Sequence, residues 1–405
     1  MSYRVPQRIL IAPSGFKESL CVEAVAAAIA AGVRRALPGV RVDIAPIADG
    51  GEGTARTLAA ATNGTLHDVA VIGPTGATVN AHWALLGVPG KKIALVEMAA
   101  AAGLSLVPEN QRDPGSTTTY GVGQLIAAAL DHHVDTILVG CGDSGTCDGG
   151  AGALQALGAK ITDSDGCEIN FGGRELARAR RLDLSGIHYR LAATEIILAC
   201  NQHNVLAGAH GVARVFGPQK GATSALVDEL DAALSNWATI LECDGVHSGN
   251  LRTGAGTGAS GGLGAGLAGG AGAQLRSRFD VLLDSGLCGI DLDRRISKAD
   301  LVITAEGAID FQTPHGKVPA EVARRANRLG VPVVALAGSL GQGAPTVHDM
   351  GIAAIASILT VPMSLSQAMA DGEALLIDAA ERMMRMILIG GAISAKPGSK
   401  RGKAS

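Results

Sequence analysis

The chain has 405 residues, 47% of them hydrophobic and only 2% aromatic, with 56 glycines and a formal net charge of −3. That length and apolar content exclude intrinsic disorder over most of the chain and point to two or three domains with aliphatic cores. The slight negative charge argues against nucleic acid or an anionic membrane as main partner.

The N-terminal stretch "MSYRVPQRILIAPSG" enters a strand, Arg8–Pro13, without a signal-peptide pattern. A polar turn follows, then an Ala-rich helix from about Ser19 to Leu37, a strand from Val40, and a further helix opening near Thr54 behind "ADGGEGT". Residues 66–97 read as short strands joined by turns. They are followed by a helix near Gly121–His132, the strands "TILVG" (136–140) and "IILAC" (196–200), and a long helix across 223–242. The Gly-rich run 253–273 breaks the pattern and reads as a hinge or a phosphate cradle. "LVITAEG" (301–307), "VPVVALAG" (331–338) and "GIAAIASIL" (351–359) restore the β/α rhythm, and "KPGSKRGKAS" reads as a basic disordered tail. Continuous apolar strands alternating with helices predict an α/β protein with a parallel sheet. Similar ends around a different middle predict a Rossmann-like domain, 1–72 with 297–405, split by a second α/β domain at 73–296, with a cleft between the two. No run of 18 apolar residues predicts a membrane span. Seven cysteines, an odd number without disulfide spacing, predict a reduced cytoplasmic setting. Cys200 and His203 make one C-x-x-H pair, with no second pair at zinc spacing.

Polar residues cluster at predicted strand ends, where open α/β sheets bind ligands. They are Lys17 with Glu18, Asp49 with Glu52, Glu306 with Asp310, and His315 with Lys317. Each reads singly as a solvated turn or helix cap. Together they supply carboxylates for Mg²⁺ and lysines for phosphate charge. "VGCGDSGTCDGGAG" (139–152) adds Ser144, Thr146, Asp143 and Asp148 to small residues before a helix, as a phosphate loop would, or as a tight turn needing glycine. Gly140, Gly142 and Gly145 also match G-x-G-x-x-G, which leaves a dinucleotide open; the acidic residues about 20 positions on sit in a polar turn and not at a strand end. A second match at Gly256, Gly258 and Gly261 lies in low-complexity sequence. No Walker A motif is present, and "FGPQKGAT" (216–223) places Lys220 ahead of a helix.

Nine ordered stretches resemble the bacterial glycerate kinase family: "APSGFKESL", "PIADGGEGT", "VEMAAAAGL", "RDPGSTTTYGVGQLI", "GDSGTCDGGAGALQALGA", "VFGPQKGA", "GASGGLGAGL", "AEGAIDFQTPHGKVP" and "ALAGSL". The resemblance implies two α/β domains with the active site between them, and transfer of the γ-phosphoryl group of ATP to a hydroxyl of glycerate, giving 2-phosphoglycerate. It implies Lys17, Asp49, Asp148, Asn201, Glu306 and Asp310 as catalytic residues. ATP would lie over Gly142, Ser144, Thr146, Gly149, Lys220, Gly261, Gly262 and Lys317, with Mg²⁺ at Asp148 and Glu306. The partners it implies are the hydroxy acid and ATP, with a homodimer as an allowed assembly. The chain departs from the family pattern at Ser14-Gly15, at Asn201 in an aspartate position and at Ala308 in an arginine position. An amide cannot take a proton as an aspartate does. These departures keep three other readings open: a kinase of another hydroxy compound, a Rossmann-type NAD(P) oxidoreductase, and a catalytically silent homologue.

Overall fold

The computed structural model describes residues 5–16, 19–247, 249–286 and 291–394; Lys17, Glu18, Cys288 and the basic tail lie outside these. In chain order the elements are β1 (Arg8–Ile11), α1 (Val22–Ala36), β2 (Arg41–Ile44), α2 (Thr54–Thr62), β3 (Thr65–Ile72), β4 (Thr78–Leu86), β5 (Ile93–Glu97), α3 (Ala99–Ala102), α4 (Tyr120–Asp131) and β6 (Thr136–Gly140). Next come α5 (Ala151–Ala156), β7 (Lys160–Thr162), β8 (Arg181–Asp183), β9 (Glu195–Cys200), α6 (Val212–Phe216), α7 (Ser224–Asp244), α8 (Ala259–Ala271) and β10 (Gln274–Ser277). The chain closes with α9 (Leu292–Ile296), β11 (Leu301–Ile309), α10 (Val318–Arg328), β12 (Val333–Leu340), β13 (Ile352–Ser357), α11 (Leu365–Ala370) and α12 (Gly372–Ser394). The protein is α/β, in two compact units: residues 1–47 with 291–405, and residues 48–290.

In the first unit five strands run in the order β13-β12-β11-β1-β2, every pair parallel. From β1 the chain moves to one side of the sheet, and from β11 it moves to the other. Loops leaving the carboxyl ends of β1 and β11 therefore diverge, which makes this the crevice where open sheets take ligands. Ile9, Ile11, Ile303 and Leu336 are fully buried beneath α1 and α12. Those helices meet closely because Gly32 has no side chain: a Cβ there would lie 2.7 Å from that of Ala380.

The second unit holds a six-stranded sheet, β10-β9-β6-β5-β4-β3. Strands β5, β6, β9 and β10 are parallel, while β4 and β3 form an antiparallel margin. Because β3 pairs with β4 along its whole length, residues up to 72 do not stay with the first sheet. The division falls at residue 47, and not at the 72 expected from sequence. The Gly-rich run also differs from expectation: after a kink at Ser260, Gly261 and Gly262, all with left-handed φ, its second half forms the buried helical part of α8. Glycine is a poor helix former, so this helix depends on packing. A Cβ at Gly266 would lie 2.5 Å from the Gly149 carbonyl oxygen, and one at Gly270 would meet Leu154. Among the described residues no helix is long and apolar enough to cross a membrane, and Cys21, Cys141, Cys147, Cys167, Cys200 and Cys243 are free thiols.

Candidate active site

Parallel pairing brings the ends of β5, β6, β9 and β10 to one edge of the second sheet, so Glu97, Gly140, Cys200 and Arg278 emerge together. The loop 48–53 lies on this edge, backbone against backbone. A Cβ at Gly50 would stand 2.9 Å from the Cys141 nitrogen, and one at Gly142 would stand 2.7 Å from the Gly51 Cα. Asp49 Oδ1 accepts the Gly51 N–H at 3.1 Å. Its Oδ2 and its carbonyl both accept from Arg278 Nη1, each at 3.1 Å. The Glu52 N–H donates to Asp143 Oδ2 at 3.1 Å, and the Ser105 hydroxyl donates to the Glu52 carboxylate.

Glu97 is 2% exposed and stands behind this loop. Its Oε1 accepts from Gly53 N at 3.1 Å and its Oε2 from Ala55 N at 3.0 Å, so it caps α2, whose own N-cap glycine offers no side chain. Burial raises its pKa from 4.5 to about 7, against the two N–H groups, with Glu52 and Asp143 pushing the same way. Asp143 holds a left-handed φ of 50°, a costly conformation for a residue other than glycine. Asn201 follows β9 and folds its turn by accepting the His203 N–H at 3.0 Å. Burial pushes the Cys200 thiol up to about 11 and the Cys141 thiol higher still, so neither supplies a thiolate.

The remaining members of the expected phosphate loop are buried and mutually engaged. Lys220, 3% exposed, donates from Nζ to Ser144 Oγ and to the Thr146 carbonyl, both at 2.8 Å. Asp148 is fully buried. It accepts from Thr119 N at 2.7 Å, Thr119 Oγ1 at 2.8 Å, Gly150 N at 3.1 Å and Gly152 N at 3.3 Å, with Thr118 Oγ1 at 3.5 Å. Burial pushes its pKa up and these donors pull it back. Gly149 N–H donates to the Gly261 carbonyl, Trp237 Nε1 donates to the Gly149 carbonyl, and a Cβ at Gly262 would lie 2.8 Å from the Gly149 Cα. The N–H groups of Gly145, Gly149, Gly150 and Gly152 thus have internal acceptors. These internal contacts engage Asp148, Ser144, Gly149, Lys220, Gly261 and Gly262, whereas the buried Thr146 hydroxyl meets no hydrogen-bond partner among the described residues. A metal at Asp148 does not fit an enclosed carboxylate. The glycines of the dinucleotide match serve packing too, with a Cβ at Gly140 falling 2.8 Å from the Gly50 carbonyl oxygen and one at Gly145 falling 2.9 Å from that of Gly103.

In the first unit, Lys317 Nζ lies 3.6 Å from Glu306 Oε1 and 3.2 Å from Asp310 Oδ1, and donates to the Ala308 carbonyl at 3.0 Å. Ser14, just past β1, donates through both its N–H and its hydroxyl to the Ala305 carbonyl, at 2.9 Å and 3.1 Å. Glu306, Asp310 and Lys317 therefore gather at the crevice beside β1, as their spacing suggested, while His315 is exposed on the same turn. Among the described residues no cluster of three or more His, Cys, Asp or Glu side chains can hold a metal.

Asp49 and Glu52, which the sequence reading set in a different domain from Gly142, Asp143 and Asn201, share one unit and one edge with them, and two further residues of that edge were missed. Glu97 ends the apolar run "IALVE", and a carboxylate closing a buried strand was the available signal. Arg278 follows a strand that sequence did not reveal.

A profile of the Glycerate kinase family matches residues 9–388. The glycerate 2-kinase of Escherichia coli K12 is 43% identical over 361 residues, spanning 89% of this chain and 93% of its own. The glycerate kinase of Halalkalibacterium halodurans is 43% identical over 376 residues, 93% of this chain and 97% of its own. A crystal structure from Salmonella typhimurium LT2, ascribed to glycerate kinase 2, aligns with a TM-score of 0.69 at 40% identity, covering 95% of this chain and 99% of that one.

Proposed function

The chain belongs to the glycerate kinase family, and from that premise we propose that it moves the γ-phosphoryl group of ATP to the 2-hydroxyl of glycerate in the cytoplasm. The near full-length family match is the observation that carries this reading. In the transfer, the bond between the γ-phosphorus and the β–γ bridging oxygen breaks, a bond to the glycerate oxygen forms, and the hydroxyl proton leaves. Mg²⁺, when bound, would neutralise developing phosphate charge through a carboxylate such as Glu52. Asp143 takes the hydroxyl proton, because Asn201 has no basic oxygen of that strength and Asp143 stands on the same edge. Loop 48–53, held by Glu97 and Arg278, fixes Asp49 and Glu52 in place. Lys317, oriented by Asp310 and Glu306, meets phosphate charge.

The test is a Mg²⁺-dependent assay with ATP and glycerate. ADP should appear one-for-one with 2-phosphoglycerate, identified by ³¹P NMR, and EDTA should abolish turnover. Asp143→Asn should lower kcat roughly 10²-fold or more. Formation of 3-phosphoglycerate, or ADP release without a phosphorylated acid, would contradict the proposal.

A further inference from the structure

We propose that the last turns of α12, with the basic residues that follow them, form a docking surface for an anionic phospholipid membrane. α12 starts beside the loop that leaves β1: a Cβ at Gly372 would lie 3.1 Å from the Ser19 hydroxyl, which donates to the Met369 carbonyl. Helix α1 leaves the same loop and ends at Ala36, where Arg35 Nη1 lies 3.1 Å from Asp378 Oδ1 and 3.9 Å from Glu381 Oε2. α12 then runs on through Arg382–Ser394, about 20 Å at 1.5 Å per residue. Both helices start at the crevice edge of the sheet, so this end of α12 lies away from the crevice. Met383 and Met384 still reach the core. Beyond them Met386, Ile389 and Ile393 share one helix face at spacings of three and four, and they are 61%, 60% and 67% exposed.

The charge of the helix changes at the same place. Its acids, Glu373, Asp378 and Glu381, all precede Arg382. Asp378 and Glu381 lie against Arg35, and Glu381 also accepts from Arg385 at 2.8 Å. From Arg382 to Ser405 the sequence holds six cations, Arg382, Arg385, Lys396, Lys400, Arg401 and Lys403, and no carboxylate side chain. The net charge of −3 for the whole chain conceals this concentration. An apolar stripe alone would suit a second copy of the chain, but pairing two such ends sets like charges against each other. A surface of anionic headgroups accepts both features: the apolar side chains enter the boundary between headgroups and acyl chains, and the cations meet phosphates. The crevice beside β1 and β11, at the opposite end of α12, stays clear of such a surface.

Co-sedimentation of the full-length protein with vesicles tests this, using phosphatidylcholine alone and phosphatidylcholine with an equal part of phosphatidylglycerol. We expect wild type to bind the mixed vesicles at low salt, to leave them at high salt and to ignore phosphatidylcholine. A chain ending at Ser394 should bind the mixed vesicles roughly 10²-fold more weakly or worse, since four cations are lost at about fivefold each. Ile389→Ser combined with Ile393→Ser keeps every charge and should weaken binding roughly tenfold. Both variants should retain the circular dichroism and thermal unfolding of wild type, because the altered side chains are exposed. No binding, equal binding to both vesicle types, or binding unchanged by truncation would overturn the proposal. So would loss of binding on truncation with no effect of the two serines, which would mean adsorption of the charged tail alone. Light scattering without lipid checks the remaining occupant: a wild-type dimer that the two serines split would make this face a subunit interface and overturn the membrane reading.

Discussion

Glu97 shows how one buried group can couple the active-site edge to pH. Its folded pKa of about 7 lies above the ordinary 4.5, so the folded protein holds this proton more tightly than the unfolded chain does. Stability from this group is full below about pH 4.5 and is lost as pH rises through 7. A shift of this size corresponds to about 3 kcal/mol, at 1.36 kcal/mol per pH unit. Glu97→Gln cannot titrate. The stability of wild type minus that of the variant, measured by urea denaturation, should therefore fall between pH 5 and 7 and level off above pH 8. A difference independent of pH would show that Glu97 ionises in its ordinary range. The sequence reading singled out Asp148 and passed over Glu97, whose one signal was its place at the end of a buried strand. Both sit in apolar or Gly-rich surroundings and both accept backbone N–H groups, and only the fold shows that Glu97 also stands behind the acidic loop.

At the scale of elements, Asp148 joins two helix starts: its Oδ2 accepts from Thr119, the N-cap of α4, and its two oxygens also accept at the entry to α5. Asp148→Ala would leave several buried donors unsatisfied, each costing about 1–3 kcal/mol. We expect at least about 3 kcal/mol of lost stability in chemical denaturation, with turnover per folded molecule close to wild type. A variant of normal stability that has lost turnover would return Asp148 to the chemistry. The strands and long helices were legible because their apolar periods are a local property: "TILVG" is β6 residue for residue, and "LVITAEG" falls within β11. Helix α8 was not legible, since its helical state comes from neighbours such as Gly149 and Leu154 that lie far away in sequence. The same cause hid the role of the loop at 144–152. Small residues suit phosphate binding and close packing equally well, and the contacts the loop makes come from Lys220, Trp237 and Gly261 in distant segments.

At the scale of the molecule, the chain divides so that one unit is continuous, residues 48–290, and the other is assembled from both ends. The continuous unit has its own sheet and a large core, and its length is typical of an independently folding domain. Both tryptophans of the protein belong to it. Trp83 lies in β4 and Trp237 in α7, and each is fully buried. Trp83 stacks on His67 at a centroid distance of 4.3 Å, and Trp237 holds the Gly149 carbonyl at 2.9 Å. Tryptophan emission therefore reports on this unit alone. A fragment spanning 48–290, expressed by itself, should show the blue-shifted emission of the intact protein and lose it in one cooperative transition. The first unit cannot behave this way in either half, because β1 needs β11 as its sheet neighbour and 291–405 supplies that strand. Residues 1–47 alone should give the far-UV circular dichroism of an unfolded peptide. Red-shifted emission from the 48–290 fragment, or a broad transition without a baseline, would mean that its core depends on the chain ends. The division at residues 47 and 291 would then describe contact density without describing two folding units.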